Sequence, residues 1–294
     1  MTSGIVFWLW FAGLAYLLLA VIAVRKELSP TLSAVPVLGR VFAPVGLALF
    51  GAEHLAAPKS LAQGVPQWMP GHLFWAYFVG FALFAAATSI ALNRYARLSA
   101  SLLGLMFVLF VLMIHAPNVA ADPRNRIIWT VALREIAFAC GVFLFAKRAP
   151  LACRIALGAI LVFFAVEHFL HPDFIPGVPL GKMTPPWFPL RSAWGYLTGL
   201  VLLATGAGLI VNKQARFLTT WLGMELAAMV ALIYLPILAA AQPKELVEAL
   251  NYIGDTTLFA GIILLAAGVT PDDAVSFSLR RRFAAATLFG RRSS

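Results

Sequence analysis

Residues 40–58 read RVFAPVGLALFGAEHLAAP, and residues 154–172 read RIALGAILVFFAVEHFLHP. Each stretch begins with arginine, continues without a charged residue, and ends in a Glu-His pair followed by proline. Apolar runs of this kind, without alternating polar residues, are typical of helices that cross a lipid bilayer, where about 20 residues span about 30 Å. Because the pattern occurs twice, it predicts a duplicated membrane unit.

The match continues downstream of both stretches, at an offset that rises from 114 to 119 and then to 120 residues. Rare residue types recur in the same order, pairing Trp68 with Trp187, Trp75 with Trp194, Asn93 with Asn212, Pro117 with Pro236, Glu135 with Asp255 and Gly141 with Gly261. Each copy holds four apolar segments, so both copies enter the membrane from the same side. They are therefore predicted to be parallel repeats, related by a pseudo-two-fold axis along the membrane normal.

The composition of the chain is typical of an integral membrane protein. Of its 294 residues, 62% are hydrophobic and 12% are charged, whereas about 25% of the residues of a soluble domain are charged. Apolar segments lie near residues 5–24, 40–57, 73–92, 98–116, 127–146, 154–170, 192–211, 217–236 and 250–269. We therefore predict an all-α integral membrane protein with about nine transmembrane helices, arranged as two parallel tandem four-helix bundles plus an N-terminal anchor helix.

These segments divide the chain into four regions. Residues 1–39 form the N-terminal transmembrane anchor and a linker, residues 40–148 the first repeat, residues 149–270 the second repeat, and residues 271–294 a basic tail. The tail contains Arg280, Arg281 and Arg282, and it is either a surface for anionic head groups or a solvated determinant of topology.

The basic residues that give the net charge of +10 lie mostly in the loops that join the helices. Fifteen basic residues fall in the loops of one side and six in the loops of the other, so the positive-inside rule places the N-terminus outside and the C-terminus in the cytoplasm. This distribution accounts for the charge without nucleic acid, and membrane lipids are the expected partners. Arg25 and Lys26 follow the first helix, and no basic segment precedes it, so it is interpreted as an uncleaved anchor.

Ionisable side chains collect near the outer ends of the predicted helices, where they are costly unless they face other protein groups. We predict a binding pocket lined by Glu53, His54, His115, Arg134 and Glu135 beneath Trp68 in the first repeat, with Glu167, His168 and Asp255 as the second-repeat counterparts. Such a group could bind a polar head group, shuttle protons or hold a metal. The structural alternative is a network in which these charges only neutralise one another, while the tryptophans of the outer loops anchor the helices.

Three further observations bear on the kinds of chemistry that the polar residues could perform. Glu167, His168 and His171 have the spacing of metal ligands, but the first repeat has no third ligand, so no metal is predicted. Glu225 alone lies in the middle of a predicted helix and is either a hydrogen-bonded buried acid or a functional group. Cys140 and Cys153 form no CxxC motif, which argues against dithiol chemistry, and Cys140 is interpreted as a packing residue.

The repeated unit resembles the DoxX-like membrane proteins. The resemblance rests on the Glu-His pair, the outer loop Val65-Pro66-Gln67-Trp68-Met69-Pro70, the stretch His115-Ala116-Pro117-Asn118 and the stretch Leu133-Arg134-Glu135. Members of that family are typically single four-helix units, so this chain resembles two of them fused. The resemblance implies a bacterial cytoplasmic membrane protein with a redox role, because the namesake is similar to a membrane subunit of a thiosulfate:quinone oxidoreductase.

Two functional hypotheses follow. In the first, the chain is a redox-linked membrane subunit whose outer pocket takes a quinone or another small carrier; it works with redox partner proteins, and Glu53, His54, His115 and Glu135 handle protons. In the second, it is a non-enzymatic carrier of lipids or small molecules, or a membrane scaffold, as the parallel repeats of some transporters suggest.

Overall fold

The computed structural model describes residues 2–172, 187 and 189–271. Within these ranges the chain has no strand, and nine helices are long and apolar enough to cross a membrane. We name the spanning helices α1 (Thr2–Val24), α2 (Gly39–Ala56), α3 (His72–Ala91), α4 (Ala96–Ala121), α5 (Arg126–Phe145), α6 (Pro150–Leu170), α7 (Arg191–Val211), α8 (Ala215–Ala240) and α9 (Leu246–Val269). The predicted all-α membrane fold is confirmed. Residues 272–294 of the basic tail, and residues 173–186 and 188 of the loop that contains Trp187, lie outside the described residues.

Helices α4 and α8 each contain a π-helical turn at repeat-related positions, Val111–His115 and Val230–Tyr234. Pro117 and Pro236 follow these turns. A proline within a helix lacks the backbone N–H and crowds the carbonyl group four residues earlier, which accounts for the wider turn in both repeats. The π turn carries His115, one of the predicted site residues.

The two repeats interlock through their last helices. Helix α9 packs extensively against α2, and α5 packs against α6, so the fourth helix of each repeat lies against the first helix of the other. The eight repeat helices thus form a closed ring in chain order, and α5 and α9 also contact each other across it. This packing differs from two bundles that lie side by side, and it brings residues of both repeats together.

Small residues allow α2 and α9 to lie close together. A Cβ atom added to Gly261 would lie 2.0 Å from the backbone nitrogen of Ala43, and one added to Gly46 would lie 2.7 Å from the carbonyl oxygen of Gly254. Such residues at helix crossings let backbones approach in membranes, where association depends on close packing. The repeat-related glycine of α5, Gly141, instead faces the side chain of Ile262.

Helices α5 and α9 run parallel. Their contacts pair Arg134 with Asp255, Phe138 with Phe259 and Gly141 with Ile262, each separated by 121 residues. This constant separation is the geometry expected of parallel repeats related by a two-fold axis between these helices. In an 18-residue apolar stretch of α9, 83% of the residues are buried within the protein, compared with 17% in the corresponding stretch of α1. Helix α9 is therefore central and α1 is peripheral.

The arginine that opens each quoted stretch caps a neighbouring helix. Arg40 donates from Nε to the carbonyl oxygen of Ile90 at 3.4 Å and from Nη2 to that of Ala91 at 3.1 Å. Arg154 donates to the carbonyl oxygens of the repeat-related residues Leu209 and Ile210. Because the last carbonyl groups of a helix lack intrahelical partners, both arginines stabilise the ends of α3 and α7.

Candidate functional site

A cavity of about 310 Å³ lies where α2, α5 and α9 meet, at the end of the bundle that carries the Glu-His pairs; we call it the outer cavity. It is lined by Phe50, Arg134, Glu248, Asn251, Tyr252 and Asp255. The sequence predicted a pocket within the first repeat. The structure instead forms this cavity between the repeats, because α9 packs against α2.

An ion pair between the repeats forms one wall of the outer cavity. Arg134 Nη1 donates to Asp255 Oδ2 at 2.9 Å, and the two side chains are only 14% and 7% exposed. Glu135 lies close enough to both for electrostatic interaction. Two buried atoms beside this pair, Arg134 Nε and Glu135 Oε2, have no hydrogen-bond partner in the part of the chain that the structure describes. Among the described residues, the site therefore has a donor and an acceptor without hydrogen-bond partners.

The glutamates of the two Glu-His pairs contact the fourth helix of the opposite repeat. Glu53 Oε1 accepts a hydrogen bond from Asn251 Nδ2 of α9 at 3.0 Å. Glu167, which is buried, accepts one from Arg126 Nη1 of α5 at 2.6 Å. Arg134 thus pairs with Asp255, and Glu53 has a different partner, because α9 is the helix that covers this part of α2. Both glutamates hold the repeats together.

The histidines of the two pairs are held against their own helices. His54 Nδ1 lies 2.8 Å from the carbonyl oxygen of Phe50, and His168 Nδ1 lies 2.7 Å from that of Phe164. A ring nitrogen must carry a proton to donate to a carbonyl group, so this contact places the proton on Nδ1 and fixes the ring. His54 does not line the cavity, but it is bonded to Phe50, a residue of the cavity wall.

The remaining predicted residues are placed differently from one another. His115, half-buried on its π turn, interacts electrostatically with Arg134 and so lies near the outer cavity. Its counterpart Tyr234 is buried and stacks on the cavity residue Tyr252, with the ring centroids 6.1 Å apart. Trp68 is 73% exposed, which leaves its ring open to lipid or solvent instead of enclosed over the polar groups.

Three cavity residues, Glu248, Asn251 and Tyr252, were not predicted from the sequence. With the predicted Asp255 they share one face of α9, because positions 248, 252 and 255 and positions 248, 251 and 255 are each three or four residues apart. The corresponding first-repeat positions include Ile128, Val131 and Ala132, so a search guided by the duplication overlooks this face. A search for polar residues at helical spacing within an apolar segment would have found it.

Glu225 is a hydrogen-bonded acid between α7 and α8. Its Oε1 accepts from Thr198 Oγ1 at 2.9 Å, while its buried Oε2 has no partner among the residues that the structure describes. The bond from Thr198 fits the hydrogen-bonded acid, one of the two sequence-based alternatives for Glu225. Within the same described ranges, no group of three or more His, Cys, Asp and Glu side chains is placed to hold a metal ion.

The two cysteines contact each other, although their spacing forms no motif. Both are buried free thiols, and they lie close enough to interact electrostatically between α5 and α6. The short turn between these antiparallel helices brings the residues together, and the burial of Cys140 is compatible with its interpretation as a packing residue. The pair lies at the end of α5 away from Arg134, and it is not part of the outer cavity.

One comparison with known proteins found a match. The profile of a domain of unknown function (DUF8561) matches residues 44–128, which include most of α2, all of α3 and α4, and the beginning of α5. The matched range is less than half of the chain. Searches of curated proteins and of solved structures each found no match.

Proposed function

We propose that the chain is a membrane subunit of a redox system, similar to the DoxX-like proteins, and that its outer cavity binds the head group of a quinone. The resemblance of the repeated unit to that family supports the class of protein. The observation that carries the binding proposal is Arg134 Nε, a buried donor at the cavity wall without a partner among the described residues. An unsatisfied buried donor costs about 1–3 kcal/mol, and a ligand oxygen would remove that cost.

The lining of the outer cavity suits a flat molecule with carbonyl oxygens. Phe50 and Tyr252 supply aromatic surface, while Asn251 and Arg134 supply hydrogen-bond donors. The volume of about 310 Å³ lies at the small end of the range for ligand pockets, which fits a head group better than a whole molecule with its tail.

Reduction of a quinone to a quinol takes two electrons and two protons. In this proposal a redox partner protein supplies the electrons, and side chains beside the cavity handle the protons. The candidates are Glu135, whose Oε2 has no hydrogen-bond partner among the described residues, and His115; both interact electrostatically with the lining residue Arg134. Glu53 and His54 are less suited, because Glu53 accepts from Asn251 and the His54 ring is fixed by the Phe50 carbonyl group.

The test uses a variant that removes the donor together with its ion pair. We expect the double variant Arg134→Met/Asp255→Leu to bind short-chain quinone analogues at least about 10-fold more weakly than the wild type, since a hydrogen bond from a charged donor contributes about 1.5–3 kcal/mol. Calorimetric titration of the purified protein measures the affinity. The matched control is Arg126→Gln/Glu167→Gln, which removes a second ion pair between the repeats. Equal affinities in all three proteins would contradict quinone binding at this cavity.

A second candidate function is non-enzymatic binding of a membrane lipid. An apolar cavity of about 540 Å³ lies between α1, α2, α8 and α9, with Leu9, Gly13, Leu49 and Leu250 among its lining residues. Since its walls belong to spanning helices, an acyl chain of the surrounding bilayer is the occupant that this surface favours. Lipid that stays with the purified protein, in the absence of any quinone binding, would support a carrier or scaffold over a redox subunit.

We further propose that the protein lies in a bacterial cytoplasmic membrane with its N-terminus outside, as the distribution of basic residues indicates. In a background without Cys140 and Cys153, an impermeant thiol reagent should label Gln63→Cys in intact cells and leave Tyr95→Cys unlabelled. Both positions are exposed, so access to the reagent depends on the side of the membrane. Labelling of Tyr95→Cys alone would reverse the orientation.

A further inference from the structure

Helix α1 lies outside the duplication and packs extensively on α2, the first helix of the first repeat. Leu9 of α1 shares a packed apolar cluster with Ala52 of α2, and Ala20 of α1 shares another with Val41. Helix α6 is the counterpart of α2 in the second repeat. Among the residues that the structure describes, α6 packs extensively only against α5 and α7, so the surface equivalent to the one that α1 covers is open.

Equivalent residues of α2 and α6, which stand at the offset of 114, differ in their exposure. Val41 is 2% exposed and its counterpart Ile155 is 43% exposed, while Ala52 is 5% exposed and its counterpart Val166 is 46% exposed. The other neighbours of α2 have counterparts around α6, because α7 corresponds to α3 and α5 corresponds to α9. The cover that α6 lacks within the described residues is therefore the counterpart of α1.

The second wall of this open surface comes from α7. In the first repeat, the Tyr16 hydroxyl group of α1 lies 2.7 Å from Thr88 Oγ1 of α3, and the Tyr16 ring packs against Phe84. The equivalent residues of α7, at the offset of 119, are Ala207 and Leu203, and both are exposed and apolar. This surface thus offers no hydroxyl group at that point, and it suits a helix that has an apolar residue where α1 has Tyr16.

We propose that this surface binds a single transmembrane helix of another polypeptide. We call it the α6 groove, and its exposed residues are Ile155, Ala159 and Val166 of α6 with Leu203 and Ala207 of α7. The small side chain of Ala159 lets a helix backbone approach closely, and such packing drives helix association in lipid. A helix is favoured over a bilayer lipid because the equivalent surface of the first repeat already holds one. By symmetry with α1, the bound helix runs antiparallel to α6 and is apolar along its length.

The chain supplies its own probe for the α6 groove. A synthetic peptide of residues 1–28 with Tyr16→Phe has the sequence of α1 without the hydroxyl group that contacts Thr88 in the first repeat. We expect the peptide to bind the full-length protein in lipid bicelles. Ala159→Phe fills the groove and should weaken this binding at least about 10-fold, since overpacking costs about 1–3 kcal/mol. Fluorescence energy transfer between labelled peptide and labelled protein measures the affinity.

The matched control for Ala159→Phe is Leu200→Phe. Leu200 is exposed on α7, and its counterpart Phe81 stays exposed although α1 is in place, so this position lies outside the groove. We expect Leu200→Phe to bind the peptide like the wild type. Equal thermal midpoints of both variants and the wild type show that folding is preserved.

Disulfide cross-linking under a mild oxidant locates the bound peptide. Gly13 of α1 faces Leu49 of α2, and the residue of α6 equivalent to Leu49 is Phe163. In a background without Cys140 and Cys153, a peptide that also carries Gly13→Cys should therefore cross-link to Phe163→Cys. The matched variant Leu49→Cys should cross-link poorly, because the chain's own α1 covers that position.

Several results would overturn the proposal. They are a peptide that does not bind, equal binding to Ala159→Phe and Leu200→Phe, and cross-linking at Leu49→Cys alone. A phospholipid that native mass spectrometry finds on the wild type and not on Ala159→Phe, and that the peptide does not displace, would assign the groove to lipid. Peptide binding that emerges only after removal of residues 272–294, which lie outside the described residues, would assign it to the basic tail.

Discussion

Replacing Gly261 with alanine is expected to lower the free energy of unfolding by about 3 kcal/mol or more, the upper end for overpacking substitutions. The new Cβ would lie 2.0 Å from the nitrogen and 2.5 Å from the Cα of Ala43, which are backbone atoms of α2. Backbone atoms cannot rotate away as a side chain can, so α2 and α9 must separate. The midpoint of SDS-induced unfolding measures the loss.

Two other glycines serve as controls for this substitution. At Gly141, the repeat-related position, a Cβ would meet Cγ2 of Ile262 at 2.1 Å, and a change of rotamer can relieve that contact. At Gly4, no neighbouring atom lies within 4 Å. We expect a smaller loss for Gly141→Ala and none for Gly4→Ala. Equal losses at Gly261 and Gly141 would show that the close approach of α2 and α9 is not what limits stability.

Replacing Asp255 with leucine is expected to cost about 3–5 kcal/mol, the usual effect of removing one partner of a buried ion pair. Arg134 would then hold a buried charge without its partner carboxylate, and nearby Glu135 lies on the same helix as Arg134 and cannot replace the contact between the helices. The double variant Arg134→Met/Asp255→Leu should recover most of the loss, because apolar residues can replace such a pair. Unfolding midpoints of the two single variants and the double variant measure the coupling.

This double variant also separates the two views of the outer cavity. If the polar groups serve only as a clamp between α5 and α9, the variant recovers stability and quinone binding does not change. If the proposed function is correct, stability recovers and binding is lost. A double variant as unstable as Asp255→Leu alone would show that the ion pair is not an isolated unit, and that Glu135 or Tyr252 depends on it.

Much of the fold follows from local properties of the sequence. Apolar runs of about 20 residues have one low-energy structure in lipid, so nine spans and an all-α class can be predicted from composition and length. The duplication predicts which helices correspond. Which helix packs against the first helix of each repeat depends on close contacts between helices. Gly141 and Gly261 illustrate this dependence. They are equivalent in sequence, yet one meets a side chain and the other meets the backbone of another helix.

The candidate site was predicted only in part for the same reason. The position of a residue along a spanning helix determines its height in the membrane. The sequence therefore predicted that Arg134 and Asp255 lie at one level, and the two side chains do form an ion pair. The partner of Arg134 depends on which helix faces it, and the sequence pattern does not contain that information. Asn251 and Tyr252 have no polar counterparts in the first repeat, so symmetry gave no reason to consider them.

The interlocked packing has a consequence for biosynthesis. The face of α2 that contains Gly46 is covered by α9, and about 190 residues separate the end of α2 from the beginning of α9. At a translation rate of about 5–20 residues per second, α2 waits roughly 10–40 s for this partner after it leaves the ribosome. During that interval Glu53 has no Asn251 and Arg134 has no Asp255. Nascent chains that stall before α9 therefore present polar groups to lipid, which makes them recognisable to the proteases and chaperones that survey newly inserted membrane proteins.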